Sequence, residues 1–100
     1  MKTNELSGAA LDWAVAKCED VYCFDGTYAP STNWAQGGPI IKREWISLWQ
    51  VGCNYWKADK GGLHSAQSET PLIAAMRCYV VSKLGDKIEL PEGLTYENAY

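Results

Sequence analysis

The residues in this 100-residue chain most suited to nucleophilic or metal chemistry are a single histidine, His64, and four cysteines, Cys18, Cys23, Cys53 and Cys78. A general base needs a nucleophile or an orienting carboxylate within reach, and His64 has neither at a diagnostic spacing. It sits in the least patterned stretch of the chain. The cysteines form no C-x-x-C pair, so a structural zinc site has little support, and we read them as reduced, mostly buried thiols. Asp12 and Glu19 share one side of a helix, but the sequence places no partner pair for them. Gly37-Gly38 and Gly61-Gly62 lack the Lys and Ser/Thr of a phosphate-binding loop. The mixed-charge "KRE" at 42–44 reads as a solvated turn. The chain therefore reads as non-enzymatic, with no cofactor and no metal.

Composition narrows the classes further. One hundred residues fit one domain, and a hydrophobic content of 47% supports a real core. Five Trp and six Tyr stand against one Phe. Each Trp or Tyr carries a polar group that wants a partner when buried, so several rings are expected half-buried, at loops or interfaces. The net charge is −3 with nine scattered basic residues, which argues against nucleic-acid binding through a concentrated basic surface. No apolar run reaches the ~20 residues of a membrane span. Glu5, Asp12 and Trp13 interrupt what would otherwise suggest a secretory leader, so the reading is cytoplasmic.

Hydrophobic periodicity and capping residues place these side chains on helices and strands. A first helix is expected from about Ser7 to Glu19, with Ser7 as cap and Leu11, Ala14, Val15 and Cys18 as the core stripe. Trp13 projects from nearly the opposite side and needs a separate cover. A second helix follows Thr70, an N-cap, and Pro71, suited to the first helical position; Leu72, Ile73, Met76, Tyr79, Val80 and Leu84 form its apolar face. Gly85 is placed to end it. Its other side, with Ala74, Cys78 and Val81, is a low-polarity strip that suggests a homodimer. Between the helices, residues 45–58 read as a β-hairpin turning at Gly52–Asn54. "VYCF" at 21–24 reads as a third strand, and residues 59–69 as a loop. The fold class is α+β: one domain over 1–91, two helices on a small antiparallel sheet in the order α-β-β-β-α, then a loose tail at 92–100.

That leaves "NWAQGGPII" at 33–41. One reading makes Tyr28, Ser31, Thr32, Asn33, Trp34, Gln36, Gly37 and Gly38 a recognition loop, since glycines admit close approach and Tyr and Trp are favoured interface anchors. The other folds the 28–39 loop over Trp13, with Trp34 as a plug whose truncation would cost about 3–5 kcal/mol. Both stay open on the sequence.

The blocks "ELSGAALDWAVAK", "YAPSTNWAQGGPIIKRE" and "TPLIAAMRCYVVSKLGD" resemble, in content and order, the NinX-like phage proteins, a family of unknown function. The likeness covers roughly residues 3–91. It implies a gene product of a tailed phage or prophage acting in the bacterial cytoplasm, and it brings no catalytic mechanism. Three departures stand out. The family usually has Asp where this chain has Asn33, it commonly lacks a Trp at position 45, and residues 50–69 match poorly. The element order also matches that of double-stranded-RNA-binding domains, but these place a basic cluster at the start of their last helix, where this chain reads "SETPLIAAMR", with Glu69 and only Arg77. The reading is an accessory protein that binds a host or phage protein; the alternatives are a nucleic-acid binder and a small-ligand binder.

Overall fold

The computed structural model describes residues 3, 6–20, 28–62, 64–85 and 87. Among these the elements are α1 (Gly8–Cys18), α2 (Trp34–Glu44), β1 (Ile46–Val51), β2 (Tyr55–Lys60), β3 (His64–Ser68) and α3 (Pro71–Leu84). The strands form one antiparallel sheet in the order β1-β2-β3. The α+β class and the α-β-β-β-α order hold, with α2 inserted before the sheet.

Helix α3 is the centre. Thr70 caps it, its hydroxyl accepting the Ile73 N–H at 3.2 Å, and Pro71 opens the first turn. Gly85 ends it at φ 87° and ψ −171°, a backbone region open essentially only to glycine. Leu72, Ala74, Ala75, Met76, Cys78, Tyr79, Val80 and Val81 are all buried. Burial on so many sides follows from its position, because α3 touches all five other elements. The strip of Ala74, Cys78 and Val81 expected to mediate self-association is therefore inside the monomer. Cys78 faces the sheet, its thiol donating to the His64 carbonyl at 3.4 Å, and burial pushes its pKa up to about 11.

The sheet presents small residues to this helix. Ala58 pairs with both Leu48 and Ala66, and the two alanines are buried with Ile46. The hairpin turns at 52–54 as expected. The 59–69 segment, expected as a loop, is instead the end of β2, a second turn and β3. Gly61 and Gly62 both take positive φ there, and the Asp59 carboxylate accepts the Gly62 N–H at 2.8 Å. The strand expected at 21–24 and the tail at 92–100 lie outside the described residues.

Helix α1 buries Ala10, Leu11, Ala14, Val15 and Ala16 and packs on α3. Ser7 occupies its N-cap position, but its hydroxyl makes no capping bond. Helix α2 is the main departure from expectation, because a helix begins inside the presumed loop. Its sequence, with Gly37, Gly38 and Pro39, is a poor helix former. Two things overcome that. Asn33 caps it, accepting the Ala35 N–H at 2.9 Å, and Gly37, Ile40, Ile41 and Glu44 recur at helical spacing toward the interior. Gly37 is buried where a Cβ would lie 2.4 Å from the Pro30 carbonyl oxygen and 2.6 Å from Leu72 Cδ1. Trp45 closes the helix in the left-handed region, at φ 57° and ψ 43°.

The two glycines of α2 should therefore respond in opposite senses. Gly37→Ala has no room and should lose about 1–3 kcal/mol by overpacking. Gly38→Ala meets nothing within 4 Å and should gain about 0.5–1 kcal/mol from helix propensity. Urea denaturation of the two variants reads the difference; equal effects would contradict this packing of α2.

Candidate functional site

The candidate residues lie on the segment 28–33 and the first turns of α2, and the structure divides them. Ser31 and Gly37 are buried, Tyr28, Gln36 and Gly38 are half-buried, and Thr32, Asn33 and Trp34 are exposed. The buried ones are braces. Asp12 on α1, itself only 7% exposed, accepts the Ser31 N–H through Oδ1 at 2.9 Å. The Gln36 amide oxygen reaches back to accept the Ala29 N–H at 2.5 Å. The Thr32 and Asn33 N–H groups both donate to the Ala29 carbonyl, at 3.1 and 2.8 Å. This turn, the Asn33 cap and the Gly37 contact fix the start of α2 from three directions.

Trp34 is not a plug. It stands at the first helical position with 54% of its surface exposed, because helicity from residue 34 turns Gly37 and Ile40 inward instead. The segment does lie against α1, as expected, but through Asp12 and Ser31. Trp13 is half-buried against the core, with the Lys17 ammonium 5.4 Å from its ring.

At the opposite end of α2 is a charged cluster that the sequence does not announce. Arg43, assigned to a solvated turn, donates to both carboxylate oxygens of Glu19, at 2.9 and 2.5 Å, and to the Tyr79 hydroxyl at 3.2 Å. Tyr79 itself donates to Glu19. Glu44 accepts from Arg43 at 2.8 Å and pairs with Lys60 and Lys83 at 3.3 and 3.7 Å. The cluster ties the ends of α1 and α2 to α3. Hydrogen bonds from Arg43 hold Glu19 and Glu44 below the usual carboxylate range. Burial pushes the phenols of Tyr28 and Tyr79 up, with the Glu19 charge adding to both. Each charged group of the cluster has a partner of opposite sign within it. His64 lies in β3, half-buried, opposite Lys60. Among the described residues, no three of His, Cys, Asp and Glu converge as a metal site, and no helix is long and apolar enough to cross a membrane.

The two braced carboxylates act on stability with opposite sign. Desolvation raises the Asp12 pKa, against the hydrogen bond from the Ser31 N–H. Its contribution is fully present below the ordinary aspartate pKa and is lost as pH rises through the raised folded value. Glu19 contributes above the ordinary glutamate pKa and loses that as pH falls through its lowered value. Asp12→Asn keeps the acceptor and sheds the charge. It should match or exceed the wild type at neutral pH, with its advantage shrinking on acidification. Asp12→Ala strands the Ser31 N–H and should lose about 1–3 kcal/mol. Urea titrations at acidic and neutral pH check this; an Asn variant as weak as the Ala variant at neutral pH would contradict it.

The family model described as "Bacteriophage P22, NinX" matches residues 18–83. No curated protein matches the chain. The matched span takes in α2, the whole sheet and nearly all of α3, which is more than half of the chain: the protein belongs to the NinX family of phage proteins.

Proposed function

We propose that this phage protein acts by binding, not by catalysis, and that the knuckle Thr32-Asn33-Trp34 is its anchor for a host or phage protein in the cytoplasm of the infected bacterium. The observation that carries the reading is the exposed indole of Trp34 on a braced helix start. A large ring carried on a backbone already held in one conformation needs less ordering on association, which suits a binding hot spot. Ser31, Gln36 and Gly37 supply the rigidity, and Gly38, without a side chain, leaves the neighbouring surface open.

A nucleic-acid reading draws less support. Arg77, the one basic residue near the start of α3, is committed to the carbonyls of Leu6 and Gln67 at 2.6 and 2.8 Å. Arg43, Lys60 and Lys83 are engaged with carboxylates.

The test is a Trp34→Ala variant. Its stability should stay within about half a kcal/mol of the wild type, as at ordinary surface positions, while capture of a partner from phage-infected lysate is lost. Undiminished capture would remove Trp34 from the interface. Steeply salt-dependent retention of single- or double-stranded nucleic acid would favour the other reading.

A further inference from the structure

The sheet has two edges, and they are built differently. β3 is short and polar, His-Ser-Ala-Gln-Ser. The Arg77 guanidinium occupies its Gln67 carbonyl and ties it to the Leu6 carbonyl. That edge is blunted in the manner expected of a soluble protein. β1 is the opposite case. Ile-Ser-Leu-Trp-Gln-Val carries no charge and no proline, and it is rich in residues that favour strands. Among the described residues no element pairs with its outer side. Trp49, Gln50 and Val51 are exposed although they alternate between the two faces of the sheet, so the strand runs out beyond the cover of α3. Trp45, 86% exposed, immediately precedes it. An uncharged edge that no described element covers is a template for another strand.

We propose that the strand it receives is the same strand of a second copy. Two β1 strands joined antiparallel about a two-fold axis would make a continuous six-stranded sheet, with both α3 helices on one face. Self-pairing suits β1 because every apposed pair is uncharged, so no like charges meet. It also closes: β1 is consumed and the blunted β3 edges become the outer ones, so association stops at the dimer instead of running into a fibre. Keeping the sheet faces in common and overlapping Ser47–Val51 fully sets one register. Trp49 lies opposite its own copy, Ser47 opposite Val51, and Leu48 opposite Gln50. Each Trp49 ring, with the Lys57 ammonium already 5.8 Å from its centroid, would then be covered on its free side.

Sedimentation equilibrium on the full chain tests this. The wild type should give twice the 11.1 kDa monomer mass at micromolar concentration. Trp49→Lys sets two like charges face to face and should raise the dimer dissociation constant at least tenfold, with an unchanged circular-dichroism spectrum. Ser47→Lys alone should weaken the dimer, and combining it with Val51→Glu should restore it, since opposite charges then face each other in both halves. A monomeric wild type at high micromolar concentration overturns the proposal. So does a dimer indifferent to all three substitutions, which would place the contact elsewhere. Neither result bears on the Trp34 surface, which lies on a different element.

Discussion

Everything in this fold leans on α3. A helix enclosed on several sides needs small residues where its neighbours come closest, and Ala74, Ala75 and Cys78 meet that requirement opposite a sheet that offers Ala58 and Ala66. With the sheet packed on it, α3 still has surface to give to α1 and α2. Close packing of this kind leaves little slack, so a single methyl at Gly37 would collide with Leu72 at the start of α3.

The same arrangement explains how a weak helix can be a firm one. Glycines and a proline give α2 little helical tendency of its own. It is held at its start by Asn33, Asp12 and Gln36, and at its end by Arg43 and Glu44, whose partners lie on α1, β2 and α3. Tyr79 links the core to the charged rim. Its ring fills the core beside Val80, and its hydroxyl finds Glu19 and Arg43 at the rim. An aspartate at position 33 would cap α2 as Asn33 does and add charge at its positive end.

How much of this the sequence discloses depends on whether local chemistry and tertiary packing agree. They agree for α3, where Thr70-Pro71 and Gly85 mark both ends, and for the hairpin, where alternation and Gly52 point the same way. They disagree for α2. Gly37-Gly38-Pro39 reads as a turn, and the competing signal, an Asn cap followed by interior residues at 37, 40, 41 and 44, is legible only once packing is known to outweigh propensity. β3 contains no β-branched or aromatic residue, and its pairing with β2 alone makes it a strand. Within 28–38, packing divides the candidate residues in a way the sequence does not disclose: Trp34 faces solvent because α2 is helical, and Ser31 is buried where Asp12 accepts its N–H. Arg43 was passed over because a charged triplet gives no hint of partners 24 and 36 residues away.

The central claim is that α2 belongs to the same cooperative unit as α3, so that Trp34 is presented on a rigid platform. Native-state hydrogen exchange reads this directly at the amides of Ile40 and Ile41 against those of Met76 to Val80. Both sets should exchange with the free energy of global unfolding. Exchange of the α2 amides through a separate, low-energy opening, while α3 stays protected, would contradict it.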